Sequence, residues 1–254
     1  MRISAVNNFY SPCFTSVQRD VYANDGKTIK HRNNTYFFRN DINWDRLRNY
    51  ITNKYSNTSK VNTYCYACSD GSEPYSLIME LFTNIGDDAK KFMPIVAKDY
   101  DENIIDYAKK GKVAVPLHEL ILINDRTKGN LNKYFSYAEK MYDPVIYNLK
   151  TCGNLYDNIK FETADITKDI HNIEPDNSII FCRNFWPYLV NDEKIRKLSN
   201  DLYKQLGENS MIVLGHFDET ERSVYRALYD AGFVLKDEDL RIFEKSPVRR
   251  YNRY

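Results

Sequence analysis

Apolar and polar positions follow neither a strand nor a helix period over residues 1–34, and Asn24-Asp25-Gly26 reads as a turn, so an irregular arm is expected there. The pattern changes at Asp41. Ile42, Leu47, Tyr50 and Ile51 then share one helical face, which ends at the polar Asn53–Lys60 stretch. Val61–Ala67 is rich in β-branched and aromatic residues and predicts a strand. The turn Cys68-Ser69-Asp70-Gly71-Ser72 follows it, and then a helix with Pro74 near its first turn. The unit repeats: Pro94–Ala97 is a short buried strand ending at Lys98-Asp99, and Asp101–Lys110 is a helix closed by Gly111.

Between Lys112 and Phe161 the rhythm breaks. A helix near Leu131–Phe135 and short Tyr- and Val-bearing runs such as Pro144–Leu149 predict an insertion at about 112–160, built as a small antiparallel sheet. Strand Ser178–Cys182, helix Asp192–Leu206, strand Met211–Gly215 and helix Glu219–Ala231 restore the alternation, with Phe233–Leu235 and Leu240–Phe243 as closing strands. The order predicts an α/β fold in which a doubly wound, mainly parallel sheet carries helices on both faces. A single main domain at 35–254 is expected, preceded by the arm at 1–34.

Charge and composition narrow the class. With 36 basic and 35 acidic residues there is no global field to steer nucleic acid or an anionic membrane, and neither is an expected partner. No apolar run approaches the roughly 20 residues of a membrane span. The start MRISAVNNFYSPC lacks a signal-peptide layout, so a cytoplasmic location is expected. Five scattered cysteines (Cys13, Cys65, Cys68, Cys152, Cys182) suit reduced thiols. Cys65 and Cys68 form a C-x-x-C with no second ligand pair at zinc-finger spacing, so no metal is expected. If the strand ran on to Cys68, alternation would point the two thiols to opposite faces.

In such a sheet ligands bind beyond the carboxyl ends of the strands, so the ends at Cys68–Glu73 and Asp99 are the candidate site. A dinucleotide would require a G-x-G-x-x-G turn, but this turn has only Gly71. Glu73 at the helix start would repel a phosphate and suits an ammonium group, as on the methionyl end of S-adenosylmethionine (SAM). Asp99 is placed to accept two ribose hydroxyls, although Asp is also a common helix cap and Asp101 is available for that role.

The run Ala67-Cys68-Ser69-Asp70-Gly71-Ser72-Glu73-Pro74-Tyr75-Ser76 resembles the A-x-S-T-G-E-E-P-Y-S motif of the CheR-type chemotaxis receptor methyltransferases, which esterify protein glutamates. Further segments match in order. Asn33-Asn34-Thr35-Tyr36-Phe37-Phe38-Arg39 resembles N-x-T-x-F-F-R, and Lys98-Asp99-Tyr100-Asp101 resembles S/T-D-I-D. Phe181-Cys182-Arg183-Asn184 with Tyr188 resembles F-C-R-N-x-x-x-Y, and Gly215-His216-Phe217-Asp218 resembles G-H-S-E. The resemblance implies a seven-stranded sheet of the SAM-dependent methyltransferase type, with the insertion as a small β-subdomain that docks a receptor's tail peptide in some members.

Carried over by position, the implied cofactor contacts fall on Asn33, Thr35, Arg39, Ala67, Glu73, Asp99, Asp165, Ile166, Arg183 and Asn184. The implied catalytic residues are Arg39, Arg183 and Tyr188, with Tyr188 as an orienting hydroxyl near the methyl group. The family's Asn-Leu adenine contact is Asp165-Ile166 here, where an Asp can still accept from the adenine amino group. Trp186-Pro187 alters the turn before Tyr188. Many members carry a helical N-terminal domain that recognises receptors, and with about 34 residues ahead of the motifs this chain is expected to lack it.

Blander roles compete at some positions. Phe37-Phe38 suits core packing, Arg183 an ordinary ion pair, His216 a structural histidine, and Lys245, Arg249, Arg250 and Arg253 a solvated tail. The expected function is SAM-dependent transfer of a methyl group to a carboxylate, with a protein glutamate side chain as the preferred acceptor and a small-molecule carboxylate or another protein acceptor as the alternative. A module that binds the cofactor or a peptide without catalysis is the rival reading.

Overall fold

The computed structural model describes residues 19–22, 29–33, 35–140, 146–189, 191–220 and 222–246. Strands β1 (Arg19–Tyr22) and β2 (Ile29–Asn33) pair antiparallel, Arg19 opposite Asn33, so the stretch expected to be irregular contains a ladder. Strands of four and five residues with mixed polarity are too short for a period to register. The Asn24-Asp25-Gly26 turn, Cys13 and the tail residues Arg249, Arg250 and Arg253 lie outside the described residues.

Helix α1 (Trp44–Lys54) starts where the Asn43 side chain accepts the Arg46 N–H, satisfying one open donor of its first turn. Leu47 and Ile51 are buried, the face anticipated. Next come β3 (Asn62–Tyr66), α2 (Ser72–Ile85), β4 (Ile95–Asp99) and α3 (Glu102–Lys109). The insertion is β5 (Lys112–Pro116), α4 (Leu117–Arg126), β6 (Phe135–Lys140) and β7 (Ile146–Thr151). Its three strands form an antiparallel sheet in the order β5-β7-β6.

The helix expected near Leu131–Phe135 is replaced by a single 3-10 turn at Leu131–Lys133, and Phe135 opens β6. The helix of the insertion is α4 instead. Leu120 and Ile123 of α4 are buried while Leu117 and Ile121 are exposed, so apolar residues occupy both faces and blur the helical period.

A short helix α5 (Asn154–Asp157) leads back into the main sheet through β8 (Ile159–Thr163). After it come α6 (Ile166–Asp169), β9 (Ser178–Cys182), α7 (Asp192–Gln205) and β10 (Met211–Val213). The chain closes with α8 (His216–Thr220), α9 (Arg222–Ala231), β11 (Phe233–Asp237) and β12 (Ile242–Lys245). The main sheet has seven strands in the order β11-β12-β10-β9-β3-β4-β8, parallel except for β12, which runs antiparallel to both β10 and β11. β8 was not anticipated as a strand: at the sheet edge its Lys160 and Glu162 are exposed and no residue is fully buried.

Apolar residues cover both faces of the central strands, as a parallel sheet between two helical layers requires. On β9, Ile179 and Phe181 join the core beneath α1 and α2, whereas Ile180 and Cys182 join the core beneath α7 and α9. Cys65 and Cys68 both belong to the α1/α2 side. The opposite-face expectation fails because β3 stops at Tyr66 and Ala67 turns the chain at φ +53°. Cys65, Cys68, Cys152 and Cys182 are free thiols. No helix among the described residues is long and apolar enough to cross a membrane.

Candidate active site

The carboxyl ends of β3, β4, β8 and β9 open into a cavity of about 680 Å³. Its floor is the turn between β3 and α2, where Ala67, Ser69 and Gly71 all have positive φ, at 53°, 52° and 91°. Such angles are uncommon without glycine, and they persist here because each bend is tied down. The Cys68 N–H donates to the Lys98 carbonyl at 3.0 Å and the Gly71 N–H to the Cys68 carbonyl at 3.0 Å. Asp70 accepts both the N–H and the hydroxyl of Ser72, at 2.9 and 2.7 Å, which closes the turn into α2. A Cβ on Gly71 would fall 2.8 Å from both Phe161 Cζ and Tyr75 Cε2.

Asp99 ends β4 and receives one backbone N–H on each oxygen, Ser69 at 3.0 Å and Asp101 at 3.1 Å. Burial pushes this carboxyl above its ordinary range, against the pull of those donors. The cap of α3 is Asp101, whose side chain accepts the Asn103 N–H at 3.0 Å. Asp99 therefore has no helix to cap and lines the cavity with its remaining lone pairs. After β8, Asp165 caps α6 by accepting the N–H and hydroxyl of Thr167 through a single oxygen, at 3.0 and 2.7 Å.

Glu73 and Arg183 meet across the cavity as an ion pair. The other Nη of Arg183 pairs with Asp41, and its side chain is only 1% exposed. Arg39 stands at the opposite side of Asp41, with its Nε 4.0 Å from a carboxylate oxygen. Its guanidinium lies 5.7 Å from the Tyr36 ring centre and 5.8 Å from that of Phe217. Burial raises the Asp41 carboxyl, but the charges of Arg183 and Arg39 and donors from Asn184 and His216 outweigh it and hold the group below the usual carboxylate range. Four carboxylates (Glu73, Asp99, Asp101, Asp165) and two guanidinia (Arg39, Arg183) line the cavity, an excess of negative charge that suits a cationic ligand.

Residues 33–228 match the family model described as CheR methyltransferase, SAM binding domain. The chain belongs to the CheR methyltransferase family. A chemotaxis protein methyltransferase of Borreliella burgdorferi is 28% identical over 194 residues, which cover 72% of this chain and 63% of the relative. Chemotaxis protein methyltransferase 2 of Vibrio cholerae serotype O1 is 24% identical over 196 residues, covering 75% of this chain and 63% of that one. The match thus spans less than two thirds of the length of either relative. Among solved structures, N-methyltransferase NodS from Bradyrhizobium japonicum WM9 is similar with a TM-score of 0.41 at 14% identity, covering 79% of this chain and 93% of that one.

In this CheR-family chain, ten of the eleven residues singled out from sequence line this cavity: Thr35, Arg39, Ala67, Glu73, Asp99, Asp165, Ile166, Arg183, Asn184 and Tyr188. The eleventh, Asn33, ends β2 in the described backbone. Tyr188 is not enclosed: it sits at the rim, 80% exposed, in the 3-10 turn Trp186–Tyr188. Arg183 is a buried ion-pair partner, and both of its Nη groups are occupied by Asp41 and Glu73. Phe37 and Phe38 are fully buried core residues, and the exposed His216 lies 3.7 Å from Glu219.

Sequence reasoning missed two acids. Asp41 has no motif around it, only its position two residues after Arg39. Asp218 fell within a matched motif but received no role. It is fully buried and accepts the N–H groups of Asn184, Gly215 and Trp186. Among the described residues no group of three or more His, Cys, Asp or Glu is arranged to hold a metal.

Proposed function

We propose that this chain uses SAM to methylate a carboxylate, the preferred acceptor being a glutamate side chain of a protein. The observation that carries the reading is the pairing, in one cavity, of Glu73 bound to Arg183 with Asp99 held by two backbone N–H groups. The donor set fits the cofactor. Glu73 would take the methionyl ammonium, Asp99 the ribose hydroxyls, and Asp165 with Ile166 the adenine, while an acidic lining disfavours the phosphates of a dinucleotide. SAM bound there supplies an electrophilic methyl group on a sulfonium centre.

The chain's own contribution is orientation and exclusion of water. A glutamate with a pKa of about 4.3 is already ionised at neutral pH, so no residue has to remove a proton. Asp218, whose carboxyl burial pushes up to about 7, is no candidate base, because its oxygens are occupied by three backbone N–H groups. Arg39 offers a planar fork of donors to the acceptor's carboxylate or to that of the cofactor. Tyr188 and Phe217, 80% and 52% exposed, make an open mouth that suits a macromolecular acceptor better than an enclosed small molecule. The two outer strands of the inserted sheet, β5 and β6, offer edges on which an acceptor's tail peptide could add as a further strand. Free thiols and protein-carboxylate chemistry suit the cytoplasm.

Calorimetry with SAM, S-adenosylhomocysteine and NAD tests the first half: binding to the two sulfur ligands and none to NAD is expected. Tritiated-methyl transfer to a lysate tests the second. Base-labile label on protein supports the ester, label on small molecules shifts the acceptor class, and binding without transfer favours a non-catalytic module.

A further inference from the structure

Asp41 stands between the two arginines of the cavity. One carboxylate oxygen pairs with Arg183 Nη2, and the other accepts Asn184 Nδ2 at 3.2 Å and lies 4.0 Å from Arg39 Nε. Its backbone carbonyl accepts Arg241 Nη1 at 2.9 Å, which fixes the segment carrying it against the turn before β12. A side chain so held from both ends has a defined direction. Arg183 is almost wholly buried and cannot shed its charge to water, so its charge must be met by neighbours. It meets Asp41 with one Nη and Glu73 with the other.

That division matters for Glu73. Asp41, Glu73, Arg39 and Arg183 form a quartet of two anions and two cations. Were Asp41 neutral, the quartet would gain a positive charge and the full guanidinium of Arg183 would rest on Glu73. A cationic ligand would then have to compete with it. With Asp41 ionised, Glu73 Oε2 meets Arg183, while among the described residues Oε1 carries only a thiol contact from Cys65 at 3.3 Å and so can receive a ligand's donor.

We propose that Asp41 is a positioning residue that shares the charge of Arg183, and so keeps Glu73 free to receive the ammonium group of the ligand. The assignment rests on the reading of the cavity as a SAM site. It predicts a loss confined to ligands with an ammonium group, which a merely structural role would not produce.

The test compares three probes by calorimetry on wild type and Asp41→Asn: S-adenosylhomocysteine, its decarboxylated form (the aminopropylthio adenosine) and 5′-methylthioadenosine, which lacks the amino end. Asp41→Asn is expected to weaken the aminopropyl probe by about tenfold, the scale of one lost charged contact, with methylthioadenosine held within about twofold. Equal weakening of both, or of neither, overturns the assignment while leaving the SAM reading intact. Failure of the wild type to bind S-adenosylhomocysteine overturns both. Asp41→Glu, which keeps the charge, is expected to retain the aminopropyl probe's advantage even if Asp41→Asn folds poorly, and its loss there also overturns the assignment.

Discussion

Asp218 accepts the backbone N–H of Asn184 at 2.7 Å, joining the chain after β10 to the chain after β9. The same oxygen takes the Gly215 N–H at 2.8 Å, and the second oxygen takes that of Trp186 at 3.2 Å. In return the Asn184 side chain accepts the Phe217 N–H at 3.0 Å. This reciprocal lock supports the turn that carries Tyr188. It also requires Gly215, where a Cβ would fall 2.2 Å from Asn184 Oδ1.

The lock gives a pH dependence with a definite sign. Burial pushes the Asp218 carboxyl up to about 7, whereas an unfolded Asp titrates near 3.9. Between those values the folded chain binds the proton more tightly. The Asp218 contribution to stability is therefore full below about pH 4 and lost as pH rises through about 7. Asp218→Asn cannot titrate, so subtracting its melting curve isolates the effect. Thermal melts from pH 4 to 8 should show wild type losing stability relative to the variant as pH rises, and a flat difference would contradict the assignment.

Gly71→Ala is the most damaging small change expected in the floor of the cavity. It adds a Cβ at φ +91° and drives it to 2.8 Å from the rings of Phe161 and Tyr75, both part of the core packing beneath α2. Forcing a non-glycine residue into that geometry should cost about 1–3 kcal/mol. Urea unfolding should record that loss at an unchanged slope, and calorimetry a weakened S-adenosylhomocysteine affinity. A variant of wild-type stability would show that the turn relaxes freely.

The sheet and most of the cavity were legible in the sequence because fully buried parallel strands such as Ser178–Cys182 are unbroken apolar runs, and because motif residues cluster at strand ends. Three features were not. The edge strand β8 alternates Ile159 and Phe161 with Lys160 and Glu162 over too few residues to stand out beside the insertion, and α4 carries exposed Leu117 and Ile121, so its local pattern and tertiary role diverge. Asp41 acts through Arg183, 142 positions away, and no local spacing can announce a partner that only folding supplies.

Asp99→Asn separates ligand binding from helix capping. The substitution keeps an acceptor for one of the two backbone donors at the end of β4 and sets an amide NH2 against the other, a cost offset in part by removing a buried charge, so stability should fall less than ligand affinity. S-adenosylhomocysteine affinity should fall by about 1.5–3 kcal/mol, the scale of hydrogen bonds to a charged group. Asp101→Ala removes the side chain that caps α3 and should instead cost about 1 kcal/mol of stability. Calorimetry and thermal melts on both variants decide the matter. Exchanged outcomes would make Asp99 the structural residue and Asp101 the ligand contact.

Arg39 and Tyr188 should fail in different ways, and that difference bears on the acceptor side. The Arg39 guanidinium lies 5.7 and 5.8 Å from the ring centres of Tyr36 and Phe217, a setting that favours its flat, weakly hydrated fork over a compact ammonium. Arg39→Lys keeps the charge but loses the fork, so turnover should fall by about tenfold or more. The Tyr188 ring is 80% exposed at the rim, and its removal from the cofactor's floor leaves little of the binding free energy to lose. Tyr188→Phe should bind S-adenosylhomocysteine as the wild type does and melt at the same temperature. If its hydroxyl acts mainly in the transition state, kcat falls while affinity stays. Steady-state kinetics on the protein labelled in the tritium assay supply the comparison. A Tyr188→Phe enzyme with wild-type kcat would remove the hydroxyl from the mechanism and leave alignment of the acceptor to Arg39.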